Sequence, residues 1–461
     1  MAYQKNEFSE SEIQEEMTRI KDECQCNVQS LPNLGVFLLT YMSAAQKVAS
    51  KMRFRSKEVG ADDMPIGISD RFTSRRLPND PEYDQQWSLS NLPNDADINM
   101  QAGWNEYLSD KYCENSSRSD VVVAVIDTGV DYNHPDLIDM MWRNPNEIPD
   151  NGIDDDNNGI IDDIHGATFG QSKSGDPMDN DGHGTHCAGV IAAKENNGQG
   201  ISGVASHSDG KVKIMAIKGL TEDDTGEHSG TFSALLEGLE YAIQHGATIS
   251  SNSWGSFCNE TFCPNASQEV QNVWKTVLRN NPNHLLIAAA GNSNKLIGTN
   301  YIPLNCGLQE PNMLCVASST LWNEKSSYSN YGDGFVQVFA PGDNIYSTYL
   351  YSTLINYRLI DYSYLSGTSM ACPHVSGLAA LIRTMRSDMN AYEVRNLIES
   401  NVQKKNSYSG LVSSGGIIDG EKTILAARKE GTNFNALIRS LLEYYCSYIC
   451  LQLNFLLSVR I

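Results

Sequence analysis

Runs of β-branched and small apolar residues recur through the middle of this chain, and each is followed by a stretch whose apolar positions fall at helical spacing. The runs are Val121 to Asp127, Val212 to Lys218, Thr248 to Trp254, Leu285 to Gly291, Met313 to Ser318 and Val336 to Ala340. They are too continuously apolar for strands with one wet face, so they predict strands buried on both sides of a parallel sheet. Helical patterns cover Gly184 to Glu195, Ser229 to His245, Ser267 to Asn280, Ser369 to Arg386 and Ala391 to Asn401. The alternation predicts repeated βα units, hence an α/β fold with a mostly parallel central sheet and right-handed crossovers. In such sheets the working groups gather beyond the carboxyl ends of strands. Asp127 ends one run and Asn292 follows another, while His183 and Ser369 open helices.

The two ends of the chain read differently. Residues 1 to 77 open on an acidic helical stretch, followed by a strand-like Val36 to Tyr41 and a helix-like Ser43 to Met52. Met1 to Cys26 has no apolar core of the kind a signal peptide needs, so either a signal is missing from this chain or the protein is not exported. Phe434 to Ile461 is rich in Leu, Ile and Tyr but broken by Arg439, Glu443, Gln452 and Asn454. Its apolar stretch, Tyr444 to Val459, falls short of the ~20 residues a bilayer span requires, which favours a packing helix over an anchor.

Composition narrows the function. At 461 residues, 40% apolar and 8% aromatic, the chain has ample material for a large core. A formal charge of −22 argues against a nucleic-acid partner or an anionic membrane surface. The acid is concentrated at Asp150, Asp154, Asp155, Asp156, Asp162 and Asp163, where repulsion calls for a divalent cation. Eleven cysteines include the close pairs Cys258/Cys263 and Cys306/Cys315, which suggest an oxidising compartment. Sequons at Asn115, Asn259 and Asn265 are compatible with it but carry little weight.

The densest chemistry lies in Gly367-Thr368-Ser369-Met370-Ala371-Cys372-Pro373-His374, which puts a serine at the start of a small-residue helix. Its partners are Asp127 and His183, the latter opening His183-Gly184-Thr185-His186-Cys187-Ala188-Gly189, and Ala288-Ala289-Ala290-Gly291-Asn292 supplies a fourth segment. Taken singly, Asp127 could cap a turn, His183 could be an ordinary helix-start residue and Ser369 an N-cap. Jointly, in the order Asp, His, Ser, these segments resemble the subtilisin family of serine proteases across roughly Asn79 to Arg428.

The resemblance implies a three-layer fold with helices on both faces of the sheet. It also implies a peptidase in which Ser369 attacks, His183 serves as base, Asp127 orients it, and Asn292 with the Ser369 N–H binds the oxyanion. By the same resemblance Ser253-Trp254-Gly255 and Ala289-Ala290-Gly291 wall the substrate pocket, although Trp254 could instead face the core. Residues 1–77 look like a partial inhibitory prosegment, with the mature enzyme starting near Pro78-Asn79-Asp80-Pro81. The catalytic domain then spans 78–430, with an apolar extension over 431–461.

Four rival readings are weaker. Asp127-Thr128-Gly129 and Asp224-Thr225-Gly226 are both the triplet of aspartic proteases, but no apolar strand precedes the second. His183 and His186, with Asp179 and Asp181 upstream, lack the His-Glu-x-x-His spacing of a zinc protease. A non-cutting peptide binder or a calcium-dependent adhesive module does not account for the intact catalytic set. Cys187 and Cys372 read as small buried fillers.

Calcium has firmer support. Asp154-x-Asp156-x-Asn158-Gly159-x-x-Asp162-Asp163 repeats the alternating oxygen ligands and central glycine of an EF-hand-like loop, with His165 where the closing Glu belongs. A second site follows only from the resemblance, through Asp80, Asp136, Asn197 and the backbone of Gln199 and Ile201, in a loop lengthened by Lys194-Glu195. The expectation is a monomeric, Ca2+-stabilised serine endopeptidase of the secretory pathway or extracellular space. It would act on protein or peptide substrates, with its own prosegment as inhibitor. Within that family it looks similar to the secreted enzymes of parasitic protozoa.

Overall fold

Val123, Ala124, Val125 and Ile126 are consecutive on one strand and all are 0% exposed, so both faces of the sheet that holds them are covered. The computed structural model describes residues 77–89, 95–108, 118–170, 172–222, 228–255, 267–298, 301–355 and 358–428. The expected prosegment, the Cys258/Cys263 pair, the three sequons, the second Asp-Thr-Gly triplet and the C-terminal apolar segment lie outside them.

Helix α1 (Met100–Leu108) precedes strand β1 (Val121–Asp127) and the short β2 (Gly166–Thr168). Helix α2 (His183–Ala192) leads to β3 (Val212–Lys218) and a small hairpin, β4 (Thr221–Glu222) with β5 (His228–Ser229). Then come α3 (Phe232–Gln244), β6 (Ala247–Asn252), α4 (Gln268–Asn280), β7 (Leu285–Ala289), the single turn α5 (Leu304–Gly307), β8 (Met313–Ser319) and β9 (Val338–Pro341). A long hairpin, β10 (Ile345–Ile355) with β11 (Arg358–Leu365), precedes α6 (Thr368–Met385), α7 (Ala391–Ser400), β12 (Gln403–Lys404) and β13 (Gly416–Ile417).

The main sheet has nine strands in the order β12-β13-β9-β8-β7-β6-β1-β3-β2. All neighbours are parallel except β12 and β13, which run antiparallel at one edge. Because β1 sits between β3 and β6, the strand order reverses there, and the crevice beyond their carboxyl ends is where such folds place a site. Asp127 pairs in register with Lys218 at that end.

Helix α6 is buried all round: Val375, Leu378, Ala379, Ala380 and Leu381 are 0% exposed. A helix without a polar face belongs inside, and α6 packs on α2 and against the sheet. By contrast α4 is amphipathic, burying Trp274, Val277 and Leu278, with Ser267 Oγ capping it by accepting from Val270 N–H. Asn390 and Glu393 form a reciprocal capping box at α7.

Two of the apolar runs end later than their ladders. Strand β6 stops at Asn252 rather than Trp254, and β7 at Ala289 rather than Gly291, although Trp254 and Ala290 remain buried. Apolarity marks burial, and burial here outlasts strand pairing. The β10/β11 hairpin was not foreseen, because its alternating tyrosines and serines form no apolar run.

Candidate active site

The end of β1 and the start of α2 bring Asp127 and His183 into direct contact. Asp127 is 0% exposed, and its Oδ1 accepts from His183 Nδ1 at 2.7 Å and from the Thr128 N–H at 2.8 Å. A carboxylate can only accept, so Nδ1 carries the proton and Nε2 is left as the basic nitrogen. Burial disfavours the charged imidazole, yet the charge and hydrogen bond of Asp127, with Asp181 and Asp179 adding, push His183 up to about 9. The His183 side chain stays 27% exposed, so water moderates both influences.

Asp179 holds the start of α2. Its Oδ1 accepts from the N–H groups of Asp181 and Gly182, and its Oδ2 from the N–H and hydroxyl of Thr185. His186 turns away, with Nε2 facing the carbonyls of Ile345 and Ser363. Thus the upstream acids and the second histidine serve the helix start and do not converge as metal ligands.

Ser369 is the second residue of α6 after the N-cap Gly367. Its hydroxyl donates to the Ser253 carbonyl at 2.9 Å, while Ser253 Oγ donates to the Ser369 carbonyl at 2.8 Å. One half of this pair, the bond to the Ser369 carbonyl, follows from Pro373. Helix α6 begins at Thr368 and Pro373 is its sixth residue, past the first turn, where a missing N–H would be harmless. The carbonyl four residues back, that of Ser369, therefore loses its helical donor. Ser253 Oγ supplies one instead, and Cys187 Sγ lies 3.5 Å from the same oxygen. Cys187 also has its sulfur within 4.8 Å of donor atoms of both Asp127 and His183, so β1, α2 and α6 meet at one spot. Burial raises the Cys187 thiol well above its ordinary range, keeping it neutral there. The structure thus joins Asp127 to His183 directly and turns the Ser369 hydroxyl to Ser253.

Asn292 follows β7. Its Oδ1 accepts from the Thr368 N–H at 2.8 Å and from Thr368 Oγ1 at 2.9 Å, and Thr368 Oγ1 in turn accepts from the Gly291 N–H. A backbone N–H needs an acceptor, so the amide oxygen faces Thr368 and Nδ2 is free to point elsewhere. A Cβ added to Gly367 would lie 3.2 Å from Asn292 Nδ2 and 3.5 Å from the Ser369 nitrogen. Gly367 therefore leaves open the space that both donors border. Sequence reasoning missed Thr368, although it stands between two residues singled out.

Among the expected wall residues, Ser253 is bound to Ser369 as described, and Gly291 is tied to Thr368. Asn305 Nδ2 donates to the carbonyls of Trp254 and Ala289, linking the two walls, and Asn330 Nδ2 donates to Ala290. Neither asparagine was foreseen, since each is far from the motifs in sequence. Trp254 is 8% exposed with its ring 5.6 Å from that of Trp274, so its indole belongs to the core side. Gly255 continues the wall past β6. Cys306 and Cys315 are paired, with Cα atoms 5.4 Å apart.

The acidic loop folds on its own side chains. Carboxylate oxygens of Glu147, Asp154 and Asp156 lie within 4.8 Å of one another. Glu147, absent from the expected ligands because it precedes the EF-hand-like spacing, also accepts from the N–H groups of Asp155, Asp156 and Asp162. Asp162 accepts from the N–H groups of Asn151 and Gly152. Asp163 is 0% exposed and accepts from Asn144, Asn158 and the Tyr241 hydroxyl, which anchors the loop to α3. Three converging carboxylates offer hard oxygen donors, which fits calcium better than a thiophilic metal.

The second expected set is also drawn together. Asp80 accepts from the N–H groups of Asn196 and Asn197. Asp136 accepts from Asn197 Nδ2, the Ile201 N–H and the Tyr362 hydroxyl, while Asn197 Oδ1 accepts from Gln199 N–H. Burial raises Asp136 to about 6, and raises Asp80 as well, because the charged form loses its water.

Comparison with known proteins agrees with this layout. The sequence pattern of the Subtilase family, peptidase S8, matches residues 118–417. Subtilisin-like protease 1 of Plasmodium berghei (strain Anka) is 34% identical over 309 residues, covering 64% of this chain and 48% of that protein. This chain therefore spans about half the length of the Plasmodium relatives it matches. Thermitase of Thermoactinomyces vulgaris is 36% identical over 282 residues, covering 61% of this chain and 81% of that protein. A solved protease from Pseudoalteromonas arctica PAMC 21717 superposes with a TM-score of 0.55 at 26% identity, covering 76% of this chain and 99% of that one.

Proposed function

Because the chain belongs to the subtilase family, we propose that it is a serine endopeptidase working through Asp127, His183 and Ser369. The observation that carries this reading is the 2.7 Å bond between a fully buried Asp127 and His183 Nδ1, which keeps the proton on Nδ1 and leaves Nε2 as the base. Ser369, once its hydroxyl turns from Ser253 to His183, adds to the scissile carbonyl as the proton passes to Nε2. His183 then returns that proton to the leaving amine. Asn292 Nδ2 and the Ser369 N–H hold the oxyanion beside Gly367, and an extended peptide lies against Ser253 to Gly255 and Ala289 to Gly291. On this proposal residues 1–77 are a partial inhibitory prosegment of a catalytic domain over 78–430. The paired cysteines support an oxidising, secretory setting, and no helix among the described residues is long and apolar enough to cross a membrane.

The test is hydrolysis of quenched peptides by the full chain, followed from about pH 5 to about pH 10. General-base action needs neutral His183, so kcat/KM should climb through neutral pH with its midpoint near 9 rather than near the ordinary 6.5. The stability contribution runs the other way. A histidine raised by folding stabilises fully below its ordinary 6.5, and this is lost as pH rises through about 9. A profile already flat by pH 7 would count against the Asp127–His183 coupling.

Calcium would be held by Glu147, Asp154 and Asp156 in the acidic loop, and by Asp80, Asp136 and Asn197 in the other. When bound it supplies the positive charge that these crowded carboxylates lack. Chelation should lower Tm by about 5 °C, the size expected for a ligand present well above its Kd. An unchanged melt, with no metal released on chelation, would remove calcium from the account.

A further inference from the structure

The β10/β11 hairpin lies along the first turn of α2, and its contacts follow that turn residue by residue. Ser347 Oγ donates to the His186 carbonyl at 2.9 Å, and Thr348 Oγ1 to the Thr185 carbonyl at 2.8 Å, both side chains being 0% exposed. The hydroxyl of the next residue, Tyr349, donates to the Asp181 carbonyl at 2.8 Å. From the helix side, His186 Nε2 reaches back to the carbonyls of Ile345 and Ser363. Tyr349 is thus the outermost rung of a ladder whose inner rungs are fully buried.

That rung falls on the residue pair just before His183. Gly182 has φ of +103° and ψ of −11°, in the left-handed region that a side chain resists. An added Cβ at Gly182 would lie 2.4 Å from Tyr349 Cε2 and 2.5 Å from Cζ, so the ring lies directly against the glycine. Asp181, whose carbonyl Tyr349 holds, also accepts the His183 N–H through Oδ1 at 3.0 Å. The backbone that sets where the imidazole stands is therefore fixed by Asp179 and Asp181 on one side and by Tyr349 on the other.

We propose that Tyr349 is a positioning residue for His183, its ring and hydroxyl fixing the Asp181-Gly182 backbone so that Nδ1 stays on Asp127. The inference rests on His183 being the base. Orientation errors of about 1 Å at a reacting group can cost ~100-fold in rate, so a side chain that touches no substrate can still control kcat.

The test compares full-chain Tyr349→Ala, Tyr349→Phe and His183→Ala with the native protein, with rates expressed per fluorophosphonate-reactive site. Tyr349→Ala should lower kcat by about 10- to 100-fold with KM nearly unchanged. It should also move the acid limb of the pH profile down, because an imidazole held less firmly against Asp127 is no longer raised as far. Tyr349→Phe keeps the ring and should recover most of the rate. A residue that only stabilises the hairpin would lower Tm and the number of active sites, leaving kcat per site and the pH profile in place; that result overturns the proposal. Full activity in His183→Ala would instead overturn the assignment of the base, and so separates the two failures.

Discussion

Ser369→Ala is expected to abolish peptide hydrolysis, lowering kcat by about a million-fold, the order seen when a subtilisin loses this residue alone. The native chain should take up a fluorophosphonate label and the variant none. The fold should survive the change. In the structure the hydroxyl makes one hydrogen bond, to the Ser253 carbonyl, worth about 1 kcal/mol. The Ser253 Oγ to Ser369 carbonyl bond does not involve the deleted atom and remains. Circular dichroism and Tm close to native therefore accompany the loss of rate. Label uptake by the alanine variant, or hydrolysis within about tenfold of native, would show that another residue attacks.

Asp127→Asn should lower kcat by about 10⁴-fold near neutral pH. The amide has nearly the volume of the carboxylate, but its NH₂ group can face His183 Nδ1 only if that nitrogen is bare, which moves the proton to Nε2 and leaves no base toward the serine. The raised affinity of His183 for protons should vanish too, so the imidazole resonance would titrate well below 9, and NMR can follow it. Unlike Ser369→Ala, this variant should still label slowly, since the nucleophile is intact. A loss of less than tenfold with the histidine still titrating near 9 would mean that the 2.7 Å contact does not govern the imidazole.

What could be read from the sequence was whatever depends on neighbours in the chain. The apolar run ending at Asp127 located the acid at a strand end, and the helical pattern after His183 located the imidazole at a helix start, because both follow from periodicity. Helix α6 was placed within one residue at each end. Contacts spanning long stretches of chain were not legible. Thr368 reaches Asn292 across 76 residues, and Tyr349 reaches Asp181 across 168. Nothing about a threonine or tyrosine in isolation announces such a partner. Glu147 escaped for another reason: the spacing template for the acidic loop begins after it, whereas folding brings it back onto Asp154 and Asp156. Pro373 likewise depends on a distant partner. Its tolerance comes from Ser253, more than a hundred residues upstream, which takes over the orphaned carbonyl.

A hydroxyl carries a single proton and can offer it in only one direction at a time. With Ser369 handing it to a main-chain oxygen of the neighbouring wall, the same proton is not on offer to the imidazole, and the proposed nucleophilic role calls for a change of side-chain rotamer. Such a swing takes picoseconds to nanoseconds, far faster than any turnover. On the proposed reading, that change of rotamer would therefore not limit turnover.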